Sequence, residues 1–109
     1  MVAQAHLDEL KLVCGDVAAV TEGGVDFVFL PHLILPSGCV PRETEALLCV
    51  GRHGGYTTRL FLPAIISGKG ANWTAHIVGG RLWQTWSWNQ VPATLRPAEI
   101  LAEHLRGLR

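Results

Sequence analysis

The stretch VAAVTEGGVDFVFLPHLIL, residues 17–35, decides the fold. VAAV and VDFVFLPHLIL are rich in β-branched and aromatic residues, and TEGG between them supplies the positive-φ residues that a tight turn needs. The pattern predicts a β-hairpin. Pro31 has no backbone N–H to give to a ladder, so it predicts a sheet edge or a bulge at that point. Downstream, PSGCVPRETE, residues 36–45, reads as a loop by its prolines, glycine and serine. EALLCVG, residues 45–51, reads as a third strand. Leu47 and Cys49 share one of its faces and Leu48 and Val50 the other, and two apolar faces predict a central strand. RHGGY, residues 52–56, is a turn, and TTRLFLPAII, residues 57–66, is a fourth strand.

SGKGAN, residues 67–72, opens a stretch that reads as irregular and loop-rich. It carries WTAHIV, a glycine turn, and then GGRLWQTWSWNQ, residues 79–90. The chain closes on TLRPAEILAEHLRGLR, residues 94–109. Thr94 is the expected N-cap, Pro97 falls in the first turn, and Ile100, Leu101, His104, Leu105 and Leu108 form an apolar stripe. At the other end, Leu7, Leu10 and Val13 recur every three residues in AQAHLDELKLV, residues 3–13, and Ala3 shares the face of Leu7 and Leu10. That spacing predicts a short N-terminal helix. The expected architecture is α+β: a meander of about four strands between two helices.

Size and composition fit one domain over residues 1–109, since domains cluster around ~100–150 residues. Hydrophobic residues make up 49% and charged ones 17%, against an average of about 25% charged. That excludes disorder and is apolar enough to expect a covering partner. Nine basic and nine acidic residues give zero formal charge, so no basic excess is available to neutralise phosphates and a nucleic-acid binder is disfavoured. The N-terminus has acidic residues and no long apolar run, which is not the pattern of a signal peptide. The longest apolar stretch, FVFLPHLILP, is too short for a bilayer and is interrupted by proline. The expected location is the cytoplasm, with no membrane partner.

The three cysteines, Cys14, Cys39 and Cys49, form no CxxC pair, so neither a disulfide framework nor a thiolate metal site is expected. Cys39, in LPSGCVP, is a loop cysteine that His32 or His53 would have to approach for activation; its expected state is unreactive and partly exposed. Cys49 is expected in the core. The five histidines show no metal-ligand spacing, and His104 is expected at the edge of its helix's packing face. Ser37, Ser67 and Ser87 lack a nucleophile elbow. Lys69, between glycines, lies outside any phosphate-loop pattern. No catalytic residue, metal or cofactor is therefore assigned.

Three of the four tryptophans fall within residues 83–88. On a strand, Trp86 and Trp88 would share a face opposite Trp83; on a helix, Trp83 and Trp86 would share one that excludes Trp88. The segment cannot bury all three rings against one surface. Trp83, Trp86 and Trp88 are the candidate partner-binding residues, because aromatic rings anchor interfaces.

LILPSGCVPRETEALLCV, RLWQTWSWN and LRPAEILAEHLRGL resemble, in motif and order, prokaryotic family E of the ubiquitin-conjugating-enzyme (UBC) superfamily. Leu35, Pro36 and Gly38 match a PLPxGY turn. Gly80, Arg81, Trp83, Gln84, Trp86 and Ser87 match GRxWQRWS. Arg96 and Pro97 match a WRP helix start, with Leu95 in place of tryptophan. The resemblance covers roughly residues 25–108. It implies a UBC-like fold with a four-stranded antiparallel meander. It also implies bacterial ubiquitin-like conjugation in antiphage-defence operons that encode a ubiquitin-like protein, an activating enzyme and a protease. The chain departs from the conjugating-enzyme pattern at the chemistry. Such an enzyme carries its cargo on a cysteine after the fourth strand, downstream of a His-Pro-Asn triplet. Here residues 67–92 hold Asn72 and His76 but no triplet and no cysteine. The expected role is a pseudoenzyme that binds the ubiquitin-like protein or the activating or conjugating enzyme in a hetero-complex. Two alternatives stay open: a conjugating enzyme using Cys39 or a serine, and a small α+β interaction subunit outside this pathway.

Overall fold

The computed structural model of the chain describes residues 2–51 and 55–109. Helix α1 (Gln4–Cys14) leads into strands β1 (Ala18–Glu22), β2 (Val25–Ile34), β3 (Glu43–Cys49) and β4 (Arg59–Phe61). These form one antiparallel sheet in the order β1-β2-β3-β4. A separate two-stranded ribbon, β5 (Thr74–Val78) with β6 (Arg81–Thr85), follows, and helix α2 (Pro97–Arg106) ends the chain. The α+β class, the four-stranded antiparallel meander and the two flanking helices agree with the sequence reading. No described helix is long and apolar enough to cross a membrane.

The sheet is apolar on both faces because two different layers cover it. Val28, Leu30, Ala46, Leu48, Leu60 and Leu62 face the helices, where they pack with Leu10 of α1 and Ile100 and Leu101 of α2. Phe27, Leu47, Cys49 and Phe61 point the other way, onto Val78 and Trp83 of the ribbon. Period-2 alternation along β3 and β4 thus supplies two cores at once. This is why EALLCVG has no polar face, and β3 is indeed an interior strand.

Pro31 marks a bulge within an interior strand. Phe27 pairs with Cys49 and Leu30 with Ala46, but Leu33 pairs with Thr44 and Ile34 with Glu43. One extra residue therefore stands in β2 between Leu30 and Leu33, where proline has no hydrogen to donate. The inward row shifts by one position, from Val28 and Leu30 to Leu33 and Leu35, while His32 and Ile34 face solvent.

Four expectations need correction. The fourth strand is shorter than residues 57–66; it spans Arg59–Phe61, and Leu62 then bridges to Gln84 ahead of Pro63. The stretch read as irregular contains the β5–β6 hairpin, turned by Gly79 and Gly80 at φ 61° and 74°. Its turn, VGGR, repeats the EGGV chemistry of the first hairpin. Thr94 is not the N-cap of α2. Arg96 is, with its backbone N–H donating to the Glu99 carboxylate at 3.1 Å. On α1, Val13 is exposed and Cys14 takes the inward position beside Leu10.

Hydrogen bonds and an ion pair hold the ribbon on the sheet. Leu62 and Gln84 exchange backbone hydrogen bonds of 2.8 and 2.7 Å, and the buried Thr85 hydroxyl donates to the Leu60 carbonyl at 2.8 Å. At the hairpin tip the Gly79 N–H donates to the Glu22 carboxylate at 3.0 Å. Arg81 pairs with Glu45 while its guanidinium lies 4.2 Å from the centre of the Trp83 ring.

Candidate functional site

The tryptophan segment changes sides as it leaves β6. Trp83 is 3% exposed and belongs to the ribbon-side core, whereas Trp86 is 2% exposed and belongs to the helix-side core. Trp88 is half-buried against the helix-side core and donates its indole N–H to the Glu103 carbonyl at 2.9 Å. Trp86 and Trp88 thus share the side opposite Trp83, and the three rings are not buried against one surface, as the pattern required. Trp83 and Trp86 are spent on packing, and Trp88 lies at the periphery.

Around Trp86 and Trp88 is a cleft of about 290 Å³, lined also by Gly70, Ala71, Ser87 and Gly107. Its geometry depends on the two glycines. A Cβ on Gly107 would stand 2.7 Å from the Trp86 Nε1 and 2.8 Å from the Trp88 ring. A Cβ on Gly70, which has φ 68°, would stand 3.0–3.1 Å from Trp86 and Trp73. Trp73 packs beside Trp86, its ring 5.2 Å from that of Trp86 and its N–H donated to the Lys69 carbonyl at 2.8 Å. The Ser87 N–H donates to the Ala71 carbonyl at 2.8 Å, which fixes the rim. Trp73, Gly70 and Gly107 went unread as site residues. A glycine just past a helix end usually signals a cap, and here it also makes room for two rings.

The cleft is built for apolar and π contact. Ser87 supplies the one hydroxyl of its lining, and none of the cysteines lines it. All three thiols are buried: Cys14 is 1% exposed, Cys39 4% and Cys49 0%. The partly exposed state expected for Cys39 is therefore corrected. Its turn folds inward, the Cys39 N–H donating to Pro36 at 3.2 Å and its Sγ lying 3.5 Å from the Leu108 carbonyl. His32 is exposed and lies near Glu43, and His53 lies outside the described residues. Burial raises the pKa of Cys14 and of Cys49, which disfavours thiolate at both. Cys49 is in the core as expected.

A histidine and an arginine sit inside the protein. His104, expected at the edge of its face, is 1% exposed, with Nε2 2.8 Å from the Thr58 hydroxyl. Arg59 is 5% exposed, its guanidinium carbon 3.8 Å from the Tyr56 ring centre and Nη1 3.3 Å from the Nε2 of His76. A guanidinium only donates, so the imidazole nitrogen of His76 accepts. Burial lowers the Arg59 pKa, against the favourable influence of Tyr56. These groups join β4 to α2 on one side and to the ribbon on the other, and neither opens onto the tryptophan cleft. Among the described residues no group of His, Cys, Asp and Glu is arranged to hold a metal ion.

No protein family matches the chain, and no curated protein or solved structure does either.

Proposed function

We propose that this chain is a non-catalytic, ubiquitin-conjugating-enzyme-like component of a bacterial ubiquitin-like conjugation pathway of the antiphage-defence type. It binds the ubiquitin-like protein, or its activating or conjugating enzyme, at the cleft of Trp86 and Trp88. The resemblance of the tryptophan and helix-start motifs supplies the pathway. The observation that carries the non-catalytic reading is the burial of every thiol, with no cysteine after β4. A carrier cysteine must reach an activated carboxyl and then an incoming amine, which a thiol below 5% exposure does not do. The helix–meander–helix order is consistent with a small UBC-like fold.

Binding at the cleft requires a partner to present an apolar or aromatic side chain to the rings. Ala71 is an exposed residue on the rim, so Ala71→Arg fills the cleft without touching the core. Mixing the chain with the purified pathway proteins should give a complex on size-exclusion chromatography that Ala71→Arg removes. Absence of any complex would overturn the reading.

A further inference from the structure

Strand β1 is the last strand of the sheet, pairs with β2 alone, and is exposed at every residue. Its register tells which backbone groups are free. Glu22 pairs with Val25 across the two-residue turn Gly23-Gly24, and such a closing pair exchanges both hydrogen bonds. By alternation Val20 and Ala18 also direct their N–H and C=O toward β2. Ala19 and Thr21 direct theirs outward. The opposite edge, at β4, is occupied by the Leu62–Gln84 bridge. Proline, a basic residue and a bulge, three of the usual edge protections, are missing from the strand AAVTE, and its one charged residue, Glu22, stands at its end.

On the ribbon side of the same edge lies an apolar cleft of about 260 Å³. Val20, Phe29 and Leu47 form its floor across three strands, and Val78, Gly79 and Trp83 approach from the ribbon. Val20 is the lining residue on the edge strand and is 42% exposed.

We propose that β1 is a self-association strand. It pairs antiparallel with β1 of a second copy about a two-fold axis at Val20, which joins two four-stranded sheets into one. The register follows from the free groups. Ala19 meets Thr21 of the second copy, and Thr21 its Ala19, for four backbone hydrogen bonds. Centring on Ala19 would instead set Thr21 opposite Val17, whose N–H is already donated to Gly15 at 2.8 Å. Centring on Thr21 would set Ala19 opposite Gly23, which leaves the strand at φ 58°. With the axis at Val20, the two valines form a non-hydrogen-bonded pair, the closer kind, and each stands beside the other's cleft. Charge is compatible: Glu22 faces the second copy's Ala18, its carboxylate already held by Gly79, and zero net charge brings no overall repulsion.

Sedimentation equilibrium on the full chain, from micromolar to millimolar, tests this. The expected result is a reversible monomer–dimer equilibrium. Ala19→Pro removes an outward N–H group, Thr21→Pro removes another together with the exposed Thr21 hydroxyl bond to Asp26, and Val20→Lys sets two ammonium groups on the axis. All three should abolish the dimer over that range and leave the circular dichroism of the monomer unchanged. Oxidation of V20C should give a covalent dimer, since such a pair falls within disulfide reach, while I77C, exposed on the ribbon, should not. A wild-type monomer throughout, or a dimer that survives the edge substitutions, would overturn the proposal.

Discussion

The hydroxyl of Thr58 and the Nε2 of His104 lie 2.8 Å apart in the core, and the same hydroxyl lies 2.8 Å from the Val91 carbonyl. A carbonyl only accepts, so the single hydroxyl hydrogen goes to Val91 and the histidine must donate. His104 therefore carries a hydrogen on Nε2. Burial, reinforced by the Arg59 charge, pushes its pKa down to about 4 from 6.5. The unfolded chain takes up this proton near pH 6.5 and the folded chain only near pH 4. The unfolded state binds more protons in that window, so the contribution of His104 is complete above it and falls as the pH drops through it. The loss is about 3 kcal/mol, levelling off below pH 4. Urea unfolding at a series of pH values checks this, with His104→Gln, which keeps a donor, losing most of that slope.

Thr58→Val keeps the shape of the side chain but strands the His104 N–H. Thr57 also donates to the Val91 carbonyl, at 2.8 Å, so that acceptor stays satisfied. The expected cost is about 1–3 kcal/mol. Thr58→Val with His104→Leu removes both partners and should cost less than the sum of the singles, as a double-mutant cycle in urea would read.

Gly107→Ala should destabilise the protein, against the usual effect of the substitution. Gly107 has φ −69°, so alanine meets no backbone penalty. Its methyl would meet Trp86 and Trp88 at 2.7–2.8 Å. Overpacking of this kind costs about 1–3 kcal/mol. Chemical denaturation followed by tryptophan fluorescence measures the cost and reports the displaced rings together.

The thiols should be silent in the folded protein. Ellman's reagent should label none of Cys14, Cys39 and Cys49 promptly under native conditions, and all three in denaturant. Rapid native labelling that Cys39→Ser removes would revive the candidacy of Cys39 as a carrier.

The parts of the fold that could be read from residues were those with a local cause. GG turns, the two-faced strand at Leu47–Val50, the proline bulge and the amphipathic α2 each follow from chemistry within a few residues. The β5–β6 ribbon has the same kind of turn, but its strands are short and partly exposed, so no apolar alternation marks them. What distant contacts decide was not legible. His104 looks like the edge of a helix stripe until Thr58 is placed opposite it, and Cys39 looks exposed until its turn folds over Leu108. The candidate cleft was legible in Trp86 and Trp88. Gly70 and Gly107 were not, because Trp86, which both accommodate, comes from another part of the chain.

The most direct test of the account is charging. The chain would be incubated with the activating enzyme, ATP and the ubiquitin-like protein, beside a conjugating enzyme of the same pathway as a positive control. The account predicts that the control is charged while this chain forms no hydroxylamine-sensitive adduct, yet still co-elutes with a pathway protein through the Trp86–Trp88 cleft. A hydroxylamine-sensitive adduct on Cys39 or on a serine such as Ser87 would contradict it.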